Sequence, residues 1–321
     1  MGGFGDLFRL GSVLGGNARK FNPEKEIPNL QGKVILVTGG SDGLGKQAIL
    51  EYARHSPSEI WMAVRNLEKA NAAIADIRAQ VPAAPPIRTL QLDLTSFASI
   101  DRAAAEFLAA ATRLDILMLN AGVMATPAAL TKDGYEAQFG TNHMGHALLT
   151  KRLLPLLERT AAEEPGADVR VVVLTSHGHE YAPKGGIQFD SLKTDGKALG
   201  VFVCYGQSKL ANILFARRLA ELYPRITAVS VHPGLVKTNL YGTDPSASAA
   251  AKAMVKALGG LFLTPEVGAR HQLWASVAKG VRSGEFYKPL GVEGLGTPDT
   301  RNDALAERLW EWTEKELEAH A

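Results

Sequence analysis

A tyrosine and a lysine four residues apart, in Tyr205-Gly206-Gln207-Ser208-Lys209, are the most chemically suggestive pair in the chain. Positions i and i+4 share one face of a helix, so a phenol and an ammonium at this spacing point to one place. A free tyrosine keeps its proton up to a pKa of about 10, too high for easy exchange at neutral pH. A cation beside it favours the phenolate and makes the phenol a usable acid or base. The spacing is common by chance, so its company matters. Ser176 ends the run Val171-Val172-Val173-Leu174-Thr175-Ser176, where its hydroxyl can bond a substrate oxygen and steady developing negative charge. Asn142 sits in Phe139-Gly140-Thr141-Asn142-His143-Met144-Gly145, on a predicted long helix. All lie toward the carboxyl ends of strands or in the helices beside them, where open α/β sheets bind ligands.

The elements that must position these groups alternate. Short apolar runs at 34–37, 59–64, 89–92, 116–119, 169–174 and 226–231 read as strands, with a short seventh at 285–287. Helical patterns separate them, after the glycines at 39–45 through 53, then at 67–80, 96–111, 135–157, 202–223 and 266–278. Near-continuous apolar strands with helices between them predict a parallel sheet covered on both faces. The expected fold is α/β, one Rossmann-like, doubly wound sheet of about seven strands. No composition break interrupts 32–290, which reads as one domain. Residues 1–31 read as an N-terminal extension and 291–321 as a tail ending in an amphipathic helix.

The first strand runs into Thr38-Gly39-Gly40-Ser41-Asp42-Gly43-Leu44-Gly45, which opens a helix. Glycines allow a tight turn and close approach of a pyrophosphate. The helix N-terminus offers unpaired amides and the positive end of a dipole. Gly39, Ser41, Gly43, Leu44 and Gly45 are therefore expected to hold a dinucleotide, with Lys46 near its phosphates. The second strand ends Ala63-Val64-Arg65-Asn66 and carries no acid to grip ribose hydroxyls. Arg65 there suits a 2′-phosphate in charge and geometry, which favours NADP(H) over NAD. Asp93 and Leu94, after the third strand, are expected to border the adenine; Asp93 reads alternatively as a turn or helix cap.

These motifs resemble the short-chain dehydrogenase/reductase family, whose glycine spacing is G-x-x-x-G-x-G and whose tetrad runs asparagine, serine, tyrosine, lysine. The resemblance implies that Tyr205 is the general acid in reduction. It implies that Lys209 lowers the phenol's pKa and bonds the nicotinamide ribose, that Ser176 polarises the carbonyl, and that Asn142 holds a water. Asn120-Ala121-Gly122 resembles the family's Asn-Asn-Ala-Gly segment, with Leu119 in place of the first asparagine. His232-Pro233-Gly234-Leu235-Val236-Lys237-Thr238 resembles its Pro-Gly turn, where Val236 and Thr238 meet the nicotinamide amide. The 28 residues between Ser176 and Tyr205, with Leu-Trp-Glu-Trp near the tail, are similar to the retinol-dehydrogenase-like and WW-domain-oxidoreductase-like branch and to fungal secondary-metabolism reductases. Such relatives also form dimers through the Tyr205 helix and its predecessor, so a homodimer is allowed unless the terminal extensions block it.

Composition narrows the rest. The net charge of +2 is spread through the 321 residues, which argues against a nucleic-acid binder. Cys204, the single cysteine, excludes an internal disulfide and suits a reducing, cytoplasmic setting. No apolar run reaches the roughly 18 residues of a membrane span. His143, His146, His177 and His179 lack an accompanying acidic cluster, and no metal is expected. The substrate pocket should draw on 125–133, 177–200 and a flap at 241–260, whose small and apolar residues fit a lipophilic or aromatic carbonyl or alcohol. Two alternatives keep the same body: a non-catalytic dinucleotide sensor or interaction protein, and a sugar-nucleotide epimerase, which would need more chain after Lys288.

Overall fold

The computed structural model describes residues 21–163, 167–238, 262–289, 291–294 and 296–318. Residues 1–20 of the N-terminal extension and the expected flap at 241–260 lie outside the described residues.

Seven strands follow the apolar runs: β1 Val34–Thr38, β2 Glu59–Val64, β3 Ile87–Gln91, β4 Ile116–Leu119, β5 Val169–Leu174, β6 Ile226–Val231 and β7 Phe286–Lys288. An eighth, β8 Val292–Glu293, adds to the expected seven or so and carries the sheet past residue 290. It pairs antiparallel to β7, whereas all other pairs are parallel. The order is β3-β2-β1-β4-β5-β6-β7-β8, so the chain reverses direction across the sheet between β1 and β4. That reversal opens a crevice beyond the strand ends, the usual place for a ligand in such sheets.

Every residue of β1, β4 and β5 is buried, as a sheet covered on both faces requires. Alternation sends Leu36 to one core and Ile35 and Val37 to the other. The second core is closed by α1 Gly43–Ala53, α2 Leu67–Gln80 and, further on, α6 Pro265–Val277. The first is closed by α3 Phe97–Ala110, α4 Gly145–Glu163, α5 Val201–Leu222 and α7 Asp303–Glu318. Caps start the helices where the sequence changes period. Asn66 accepts from Lys69 N at 2.9 Å to open α2, and the Ser96 hydroxyl caps α3.

The expected single helix at 135–157 is broken. A short turn, Ala137–Phe139, leads into a π-helical turn, Gly140–Met144, and only then into α4. Crowding accounts for the two glycines that bound it. A methyl on Gly140 would lie 2.4 Å from Thr131 Cγ2, and one on Gly145 would lie 2.5 Å from the Leu94 carbonyl oxygen. The widened turn is the one that carries Asn142.

Candidate active site

Strand register gathers the motifs at one edge. Val37 is opposite Met118, Leu119 opposite Val173 and Leu174 opposite Val231, so 38–45, 120–122, 175–176 and 232–238 leave neighbouring strand ends. Between them lies a cleft of roughly 250 Å³. Gly39, Asp42, Gly43 and Leu44 line one side, Asn120, Ala121 and Gly122 the floor, and Tyr205 and Lys209 the far wall. Leu174, Thr175, Pro233 and Thr238 complete it.

The glycine turn is built for a close neighbour. Gly39 has φ +69°, and a side chain there would lie 3.0 Å from Ala121 Cα. A methyl on Gly45 would meet the Gly39 carbonyl oxygen at 2.3 Å. Only bare backbone fits, and it leaves the head of α1 open to an anionic group. Asp42 caps α1 by accepting from Gly43 N at 2.7 Å. The floor is tied down by Asn120, whose Nδ2 donates to the Thr38 carbonyl at 2.8 Å, while its own N–H donates to Thr38 Oγ1 at 2.9 Å.

Around the reacting groups, α5 presents Tyr205 and Lys209 on one face, as the four-residue spacing predicts. Both are buried, at 3% and 4% exposure. Lys209 Nζ lies 5.7 Å from the centre of the Tyr205 ring and donates to the Leu174 carbonyl at 3.2 Å. Burial pushes the lysine pKa down to about 8. Ser176 accepts from Gly178 N at 3.0 Å, which leaves its own proton available to a substrate oxygen. Gly178 joins Ser176 to the phenol: a methyl there would lie 2.6 Å from Tyr205 Cε1 and 3.4 Å from Ser176 Oγ. Asn142 accepts from Val123 N at 2.8 Å and donates to Val123 O and Ser208 Oγ, both at 2.9 Å. A methyl on Gly122 would sit 3.1 Å from Asn142 Oδ1 and 3.4 Å from Lys209 Nζ, so these two also converge.

Other sequence-predicted positions lie further out. Arg65 is exposed at the end of β2 and makes no ion pair or hydrogen bond among the described residues. Gly39 N donates to Ala63 O at 2.8 Å, which sets the glycine turn beside that strand end. Lys46 reaches Asp76 on α2 at 2.6 Å. Asp93 accepts from Thr95 and from Lys132 Nζ, both as a turn cap and as an ion pair. Leu94 is buried against Gly145, and Val236 is buried, with its strand bridge to Leu263. Ser41 is half-buried in the glycine turn. Sequence reasoning missed Asp42, Leu174, Thr175 and His146. The last carried a usable signal, because it stands four residues after Asn142 and therefore on the same helix face.

Next to Tyr205 an apolar wall forms from Met124, Ala125, Val201, Phe202, Leu235 and Phe262. The Tyr181 ring lies 6.1 Å from that of Phe202.

The sequence pattern of the short chain dehydrogenase family matches residues 33–248. The chain is 41% identical to the short-chain dehydrogenase/reductase drtF of Aspergillus calidoustus, over 91% of this chain and 95% of that protein. It is 34% identical to human retinol dehydrogenase 13, over 88% of this chain and 83% of that one. Among solved structures, an uncharacterized protein of Mycobacterium paratuberculosis superposes with a TM-score of 0.69 at 28% identity, covering 92% of this chain and 97% of that one. The chain belongs to the short chain dehydrogenase family, an oxidoreductase family that binds a nicotinamide cofactor, in the branch shared by fungal reductases and retinol dehydrogenases.

Proposed function

We propose that this protein is an NADP(H)-dependent oxidoreductase acting on the carbonyl or secondary alcohol of a lipophilic or aromatic small molecule, with Tyr205 as its acid and base. One observation carries the reading: the glycine turn and the Tyr205–Lys209 pair line a single cleft at the reversal of strand order. The bound nicotinamide supplies or accepts the hydride. In reduction, Tyr205 gives its phenolic proton to the substrate oxygen as that oxygen gains charge. Ser176 donates a hydrogen bond to the same oxygen, with its lone pair already engaged by Gly178 N. The Lys209 ammonium, held between Leu174 and the phenol ring, favours the phenolate left behind.

Preference for NADP(H) is supported by Arg65, a cation beside the glycine turn that no carboxylate engages among the described residues. The apolar wall beside Tyr205 supports a lipophilic substrate, and one relative is named for retinol. The test is Tyr205→Phe assayed with NADPH and a carbonyl panel, which should lose about 10²- to 10⁴-fold in kcat. Unchanged turnover excludes the mechanism. Arg65→Glu, followed by thermal shift with NADPH and NADH, should abolish the stabilisation by NADPH alone.

A further inference from the structure

His146 is not used by the mechanism above, yet it is 2% exposed and stands between the two halves of the site. Its Nδ1 lies 3.1 Å from the main-chain carbonyl oxygen of Asn142, and its Nε2 lies 2.9 Å from Thr38 Oγ1. That Thr38 oxygen already accepts from Asn120 N at 2.9 Å and Ala121 N at 3.0 Å. A hydroxyl has two lone pairs and one proton. With both lone pairs taken, the proton must be donated. Its nearest acceptor is His146 Nε2, since the Met118 carbonyl is 3.5 Å away. A neutral ring that accepts at Nε2 carries its proton on Nδ1 and donates it to Asn142 O. An imidazolium would aim a second proton at an oxygen with no lone pair left.

We infer that His146 is a positioning residue, locked as the Nδ1–H tautomer, that joins the Asn142 main chain to the Thr38-supported floor of the cofactor cleft. Burial agrees with a neutral ring, for it pushes the imidazole pKa down to about 4. The ring is the link by which the 120–121 turn under the cofactor and the π turn that aims Asn142 keep one relative placement. Its effect on turnover rests on the reductase reading; its tautomer and its effect on cofactor binding do not.

Two substitutions separate the contacts. His146→Asn places an amide donor near the Nδ1 position and keeps the bond to Asn142. His146→Gln places an acceptor near Nε2 and keeps the bond from Thr38. His146→Gln should lose roughly tenfold more kcat than His146→Asn, while His146→Asn should lose several-fold more NADPH affinity than His146→Gln. A packing role alone gives parallel losses in kcat and affinity that track Tm, and that result overturns the inference, as does wild-type behaviour in both variants. Long-range ¹H–¹⁵N spectra of histidine-labelled wild-type protein, assigned by the peak missing in His146→Gln, should show the proton on Nδ1. A proton on Nε2, or on both nitrogens, overturns it without any substrate. The Nδ1–H form in a protein that reduces no carbonyl would sink the reductase reading alone.

Discussion

Replacing Lys209 with methionine should abolish reduction and at the same time stabilise the fold. An ammonium with a native pKa of about 8, against 10.5 unfolded, is destabilised by burial by about 3 kcal/mol at neutral pH. Its bond to the Leu174 carbonyl offsets roughly 1 kcal/mol of that. Methionine matches the length of the stem and leaves no orphan acceptor, because Asn212 Nδ2 also donates to Leu174 O, at 3.0 Å. The net gain is about 2 kcal/mol, or roughly 3 °C in Tm for a domain of this size. The gain shrinks with pH in a defined way. Between about pH 8 and 10.5 the unfolded chain holds a proton that the native lysine has lost, so raising pH stabilises the wild type across that window. The gap between Lys209→Met and wild type should therefore narrow toward zero near pH 9.5. Urea unfolding of both proteins at pH 7 and 9.5 measures it. A variant less stable than wild type at pH 7, or a gap indifferent to pH, refutes the argument that burial of a charge is the cost at this site.

The same titration predicts catalysis: kcat/KM for reduction should be level below about pH 8 and fall above it as the ammonium is lost, so a rate still rising toward pH 10 contradicts the role of Lys209. Gly178→Ala should cut kcat by roughly tenfold or more and cost about 1–3 kcal/mol, because the new methyl meets Tyr205 Cε1 at 2.6 Å; full activity with unchanged Tm would show that the ring moves freely. Asp115→Ala, far from the cleft, should cost about 3 kcal/mol by urea unfolding with kcat retained, since it removes the partner of Lys33, Arg113 and Val34 N from a fully buried place. Burial alone would raise the Asp115 carboxyl, but Arg113, Val34 N and Lys33 outweigh it and hold it below the usual range, so the wild type should lose this stability as pH falls below about 4.

What was legible in the sequence follows from which forces act locally. Buried parallel strands must be apolar along their whole length, and β1, β4 and β5 announced themselves as such runs. The Tyr205–Lys209 pair was legible because a helix fixes the geometry of i and i+4 without help from the rest of the chain. The π turn at Gly140–Met144 was not, because the pattern of apolar residues continues through it unchanged, and the crowding that requires glycine at 140 and 145 comes from Thr131 and Leu94, outside the helix. β8 has two exposed residues and no periodicity, and exists because β7 offers it an edge.

The outer helix α7 explains how the site tolerates its own costs. Asn142 rides on a widened turn, Lys209 buries a charge, and His143 leaves Nδ1 without a partner among the described residues. All sit on elements that α7 presses from outside. Thr313 meets His143 Nε2 at 3.1 Å, Trp312 packs edge-on to Tyr135 and Phe139, and Trp310 stacks on Phe215 of α5 at 5.5 Å. Leu305, Leu309 and Leu317 bury beneath it, each contributing about 2 kcal/mol before ordering costs. Their sum is comparable with the net stability of a domain, about 5–15 kcal/mol, so this cover is expensive to remove. Anything approaching the outer side of α5 would meet α7, which packs along it with Trp310 against Phe215.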